Sequence, residues 1–220
     1  VKIACLHTHE GNVAMFEQAA AALGLPDGTL HHEVRPELLR AAEDAGGLTP
    51  AIADETGAIL LELGRDADAV LLTCSTLGQA AATAAPAAPV PILRADGALA
   101  ERATGAGGAV AVLCALETTV VPTTRLFAEA AARSGARLDI RLVPGAWALF
   151  RAGDRDGYLR AIARAADEAY GDGASIVALA QASMTDAAAL VTRGPRPLSS
   201  PAAGLAAAVE RIGAASPQAV

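Results

Sequence analysis

The chain has 220 residues, is 53% hydrophobic and only 3% aromatic, and carries a net charge of −7. That supplies enough apolar material for one large domain or two small ones, packed on Ala, Leu and Val. The acidic balance, with no basic block, excludes a nucleic-acid partner, and Lys2, the only lysine, leaves no residue for a pyridoxal Schiff base or a P-loop.

The three cysteines, Cys5, Cys74 and Cys114, each lie in or at the end of an apolar strand-like run. An odd number in such places is no disulfide framework and fits a reducing compartment. The chain opens on a strand and not on a signal-peptide pattern. Ala69 to Leu93 carries no charge, but Pro86, Pro89 and Pro91 argue against a membrane span. A soluble cytoplasmic protein is expected, with no membrane partner.

In chain order, Lys2–His7 reads as a first strand, followed by the loop His7-Thr8-His9-Glu10-Gly11 and a helix over Val13–Leu23. Leu30–Val34 reads as a short strand. Pro36–Ala45 is a helix opened by Pro and closed by Gly46-Gly47. Thr49 caps a helix that runs to Leu63, with Pro50 at its first position and Gly64 at its end. Ala69–Thr73 is a strand, and an Ala-rich helical segment follows Gly78. Val90–Leu93 is another strand and Ala95–Arg102 a helix. The cluster Gly105-Ala106-Gly107-Gly108 precedes the strand Ala109–Cys114, whereas a dinucleotide fingerprint follows its strand and opens a helix. No cofactor is expected there. Thr118–Ser134 is a helix, Arg137–Val143 a strand, and Gly153–Tyr170 the longest amphipathic helix. Ser175–Ala180 is a strand leading into Gln181-Ala182-Ser183-Met184, where Ser183 or Thr185 caps a helix to about Val191. Pro201–Ile212 is the final helix.

Short two-sided strands alternating with helices imply a parallel sheet covered on both faces. Ala69–Leu77 and Ser175–Met184 share one design: apolar strand, polar cluster, Ala-rich helix. The expected fold is α/β, with two similar doubly wound, flavodoxin-like halves related by a pseudo-two-fold and facing each other across a cleft. Residues 1–95 plus 201–220 form the half carrying Cys74, and residues 96–200 the half carrying Thr118 and Gln181.

Chemistry concentrates at Thr73-Cys74-Ser75-Thr76-Leu77-Gly78. A thiol between a strand end and a helix start meets free N–H groups, which favour the thiolate and lower its pKa. The competing reading is a small buried Cys between two capping hydroxyls. Ser75 and Thr76 are placed to hold a carboxylate, and Thr8, Thr118 and Ser183 are similar donors at other strand ends. His7 has an ordinary pKa suited to proton transfer near neutrality; hydrogen bonding to substrate is the preferred role. His7-Thr8-His9 invites a metal reading, but a site needs three or four ligands. The other histidines, His31 and His32, lie in the same early region, and no acidic cluster completes a set. No metal is expected.

Leu6-His7-Thr8, His32–Leu39, Thr73–Gly78, Val112-Leu113 with Thr118-Thr119 and Pro122-Thr123, and Val177–Met184 together resemble the aspartate/glutamate/hydantoin racemase superfamily. That group includes cofactor-independent racemases, maleate isomerases and arylmalonate decarboxylases. The resemblance implies two pseudo-symmetric halves with the active site between them and one catalytic cysteine on each half. Cys74 matches the first cysteine, and Gln181 stands where the second is expected. The implied activity is cofactor-independent racemisation or isomerisation of a small carboxylate through Cys74. His7, Thr8, Ser75, Thr76, Thr118, Gln181, Ala182 and Ser183 would bind the substrate, Gln181 by orienting it. An amide cannot trade a proton near neutral pH, so a single-cysteine decarboxylase or lyase is the runner-up, and a non-catalytic small-acid-binding protein a further alternative. Cys114 is expected to be a buried, inert thiol, and a homodimer is possible.

Overall fold

The computed structural model describes residues 1–215. The chain divides into two compact units. One comprises Val1–Ala98 with the C-terminal helix from Pro201, the other Leu99–Ser200.

In the first unit β1 (Ile3–His7) leads to α1 (Gly11–Ala22), β2 (Leu30–Val34), α2 (Pro36–Asp44) and α3 (Pro50–Leu63). β3 (Ala69–Leu72), α4 (Gly78–Ala84) and β4 (Ile92–Arg94) follow, and α5 (Ala95–Thr104) begins in this unit and ends in the second. The four strands form one parallel sheet in the order β2-β1-β3-β4. Thr49 caps α3 as expected, accepting from the Ile52 N–H.

In the second unit the elements are β5 (Ala109–Cys114), α6 (Val120–Ser134), β6 (Arg137–Leu142), α7 (Ala146–Arg151), α8 (Arg155–Gly171), β7 (Ile176–Leu179) and β8 (Leu198–Ser199). Its sheet, also parallel, has the order β6-β5-β7-β8. The two orders are the same pattern, and the expected α/β, doubly wound class is what the structure shows. α9 (Ser200–Ala215) then returns to the first unit.

Burial explains each layer. Ala4, Leu6, Val70 and Leu72 alternate onto one face of the first sheet and pack with Leu38, Ala42, Ile52 and Leu60 of α2 and α3. The opposite face carries Ile3, Cys5, His7 and Leu71. Phe16 of α1 lies against it with its ring 5.2 Å from that of His7. α9 covers the same face: a Cβ on Gly204 would lie 3.0 Å from Ala95 Cβ and 3.1 Å from Leu71, so only glycine permits that approach. In the second sheet Ala111, Leu113, Val177 and Leu179 pack with Tyr158, Ile162 and Ala166 of α8.

Several local expectations change. The segment after Gln181 is a 3-10 helix over Ala182–Ala189 with no side-chain cap. Thr185 instead donates to the Ala182 carbonyl, so neither Ser183 nor Thr185 opens an α-helix. A 3-10 turn at Glu117–Thr119 precedes α6, which therefore starts at Val120. α7 and the two-residue β8 are too short to give a periodic signal. Gly107 and Gly108 have φ of 69° and 83°, a left-handed turn into β5 and not a phosphate loop.

Candidate active site

In each unit the chain runs outward from the first strand in one direction and then crosses to its other side. The switch falls between β1 and β3 in one unit and between β5 and β7 in the other. Strand C-terminal ends at such a switch leave a crevice that open α/β sheets use for ligands. Thr8 follows β1 and Cys74 follows β3, so the first switch point brings these two residues together.

Cys74 is 8% exposed. Its Sγ accepts hydrogen bonds from the Thr8 hydroxyl and from the N–H groups of Leu77 and Thr76. The loop before α4 therefore wraps its amides around the sulfur. A strand-to-helix junction by itself predicts a lowered pKa. Instead burial dominates and pushes the Cys74 thiol up; Thr8, Leu77 and Thr76 oppose that shift, while the negative charge of Asp96 adds to it. Ser75 and Thr76 are half-buried, and among the described residues neither hydroxyl has a hydrogen-bond partner, which leaves them open to a ligand.

Two residues beside Cys74 give no signal in the sequence. Arg94 ends β4 and grips Asp96 with two hydrogen bonds, Nε to Oδ1 at 3.0 Å and Nη2 to Oδ2 at 2.7 Å. A Cβ on Gly78 would lie 2.2 Å from that guanidinium, so the arginine lies flat on the first residue of α4. Only the parallel pairing of Leu72 with Arg94 could have revealed this.

His7 turns away from solvent. It is fully buried, with Nδ1 on Thr73 Oγ1 and Nε2 on His32 Nδ1, both at 2.8 Å. Burial, with His32 adding to it, lowers its pKa to about 3. Both of its ring nitrogens are therefore engaged inside the protein. His9 is exposed, and its Nδ1 accepts from the Gly11 N–H.

In the second unit Gln181 stands two residues past β7, as Cys74 stands two past β3. Its Oε1 accepts from the Ala115 N–H at 2.7 Å, and its Nε2 donates to Thr119 Oγ1 at 3.3 Å. The amide thus ties the end of β7 to the end of β5, with one N–H left over. Thr118 is exposed, while Thr119 turns inward. Cys114 is fully buried, in hydrogen-bond contact with the hydroxyls of Thr123 and Thr119, and burial raises its pKa. Ser183 shares its hydroxyl with Tyr158 at 2.8 Å, and Ala182 is buried beside it.

The pattern of the Asp/Glu/hydantoin racemase family matches residues 8–209. The chain belongs to that family. No curated protein matches it. Among solved structures of similar fold is the aspartate racemase of Picrophilus torridus, at TM-score 0.71 and 12% identity, covering 97% of this chain and 95% of the other. The allantoin racemase of Pseudomonas fluorescens aligns at TM-score 0.65 and 18% identity over 97% and 92%. Arylmalonate decarboxylase aligns at TM-score 0.62 and 18% identity over 98% and 94%. At these identities the likeness establishes the shared fold. Racemases and a decarboxylase thus share this fold, and no helix among the described residues is long and apolar enough to cross a membrane.

Proposed function

We propose that this racemase-family protein is a cofactor-independent enzyme that moves the α-proton of a small carboxylate through the Cys74 thiol. The observation that carries this reading is the setting of one sulfur: a buried thiol directly after β3, where the Thr8 hydroxyl and the Leu77 and Thr76 amides favour its charged form. A structural thiol in a core has no need of three donors. A thiol that must carry negative charge in a buried place does, because each donor offsets desolvation of the anion.

The chemistry follows from that environment. An α-proton beside a carboxylate is a weak acid, so the enzyme has to stabilise the carbanion more than the substrate. Ser75 and Thr76 offer hydroxyls to the carboxylate at the same strand end, where preorganised donors cost no reorganisation. The raised thiol pKa makes Cys74 a stronger base once ionised and a competent acid when it returns the proton.

Gln181 favours a second reading. In a two-thiol racemase the opposite face of the carbanion receives its proton from a second cysteine, and an amide cannot replace that group. With one thiol and no second, a malonate-like substrate would lose carbon dioxide by cleavage of a C–C bond, and the carbanion left behind would take its proton from Cys74 alone, the course of a decarboxylase.

The test is turnover. Amino acids, hydantoins, maleate and substituted malonates are incubated with the purified protein and with Cys74→Ala, and products are separated by chiral chromatography. The proposal expects conversion of at least one class by the native protein and none by the variant. Equal conversion by both proteins, or none on any compound, would sink it.

A further inference from the structure

Strand pairing assembles a second cluster that the Cys74 chemistry leaves unused. Cys5 and His7 are two apart on β1 and so share a face, and His32 on β2 is the register partner of Cys5. Each offers one ligand-type atom to the others, all within 4.8 Å. In sequence order the four histidines simply share one early region; only the β1–β2 register selects His7 and His32 and adds Cys5.

Hydrogen bonding defines what this cluster lacks. Thr73 Oγ1 lies 3.0 Å from the Leu6 carbonyl and 2.8 Å from His7 Nδ1, so an oxygen holds the outer nitrogen of His7. His7 Nε2 turns toward the cluster. It faces His32 Nδ1 at 2.8 Å. His32 Nε2 meets Glu17 Oε1 at 3.0 Å and donates to that carboxylate. The two inner nitrogens thus face each other, with the Cys5 thiol beside them, an arrangement that a shared proton or a metal ion can bridge.

We infer that Cys5, His7 and His32 form a binding site for one zinc-class ion on the α1 face of the first sheet. Three features favour metal over a proton. The third atom is a sulfur, which two histidines sharing a proton do not require and which selects zinc or another soft ion. Each imidazole already has its outer nitrogen on an oxygen, Thr73 Oγ1 or the Glu17 carboxylate, and this fixes the orientation that ligating histidines have. The side chain of His32 is 13% exposed and that of Glu17 50%, which gives an entry path from the edge strand. Tetrahedral zinc with N at about 2.0 Å and S at about 2.3 Å needs an inner N···N of about 3.3 Å and an N···S of about 3.5 Å. The imidazoles part by about half an ångström and the thiol rotates in, which are side-chain adjustments. Uptake replaces two protons, the one between the imidazoles and the Cys5 thiol proton, so charge balances. The fourth position is left to water. Cys74 is not among the ligands, so the site is separable from the proposed chemistry.

The experiment uses Co2+ as the probe, added to the reduced, chelator-treated full chain. The inference expects one equivalent bound, with a thiolate-to-cobalt charge-transfer band in the near ultraviolet that Zn2+ abolishes by displacement. Cys5→Ser should remove that band. Glu17→Gln should weaken uptake by about ten- to a hundredfold, the usual cost of losing such an outer partner, and His32→Gln by more. His32 sits on an edge strand, so His32→Gln tests the site even if Cys5→Ser does not fold, with circular dichroism to check folding. No cobalt uptake, a band that persists in folded Cys5→Ser, or uptake unchanged in His32→Gln would overturn the inference.

Discussion

Burial and hydrogen bonding pull the Cys74 thiol in opposite directions. Desolvation raises its pKa, and the Thr8 hydroxyl with two loop amides opposes that. Activity should therefore climb with pH as the thiolate forms. Thr8→Val removes a donor and moves that rise to higher pH. The rate at neutral pH then falls about tenfold for each pH unit the profile moves, whereas Thr8→Ser restores the profile. Gly78→Ala should act at longer range. Its methyl occupies the place of the Arg94 guanidinium, releasing Asp96, whose charge then bears unneutralised on Cys74. The pH–rate profile moves upward again while stability changes little, since a flexible side chain yields. Cys74→Ser should cost about 10²- to 10⁴-fold in turnover, the usual worth of a positioned acid–base group. At this scale the placement of Cys74, Thr8 and the Ser75-Thr76 pair at strand ends is legible in the sequence, because an apolar run that stops in polar residues leaves a local pattern. Arg94, Asp96, Thr119 and the burial of His7 are not, because they depend on which strand lies beside which and which way a short turn rotates.

At the scale of elements, Gln181 joins β7 to β5 through a side chain, where the first unit joins β3 to β1 through the bond from Thr8 to Cys74. Gln181→Ala would leave the buried Ala115 N–H without its acceptor, at a cost of about 1–3 kcal/mol. Urea denaturation followed by circular dichroism should show an earlier midpoint. Tyr158 of α8 anchors the 3-10 segment through Ser183. Its pKa is raised by burial to about 12. The folded state therefore holds the phenolic proton more tightly than the unfolded chain. The stability it adds is present below pH 10 and is lost between pH 10 and 12, at up to about 1.4 kcal/mol per pH unit. Tyr158→Phe should lose stability less steeply than the native protein across that window. Regular elements such as α3, with Thr49, Pro50 and Gly64 at their expected places, are readable because caps and periodicity agree. The segment after Gln181 is not, because an Ala-rich stretch looks like an α-helix whether its turns close at three residues or four.

For the molecule as a whole, the repeated strand order means that one folding plan is used twice, and in each unit the switch point gathers the polar strand ends. The repetition of apolar strand, polar cluster and Ala-rich run makes that plan readable from sequence. The return of α9 to the first unit has a clear energetic check. Gly204 touches Ala95 and Leu71 closely, so Gly204→Val overpacks that seam. It should cost about 1–3 kcal/mol of stability, read as a lower denaturation midpoint. The central claim is that the Cys74 thiol carries the α-proton. The most direct measurement follows a single enantiomer of a turned-over substrate in heavy water by NMR, with Cys74→Ala alongside. The account predicts deuterium at the α-carbon of substrate or product that depends on Cys74: mixed chirality marks racemisation, and a single product hand marks one-sided protonation by Cys74. Exchange that persists in Cys74→Ala, or turnover with no solvent deuterium entering the α-carbon, would contradict it.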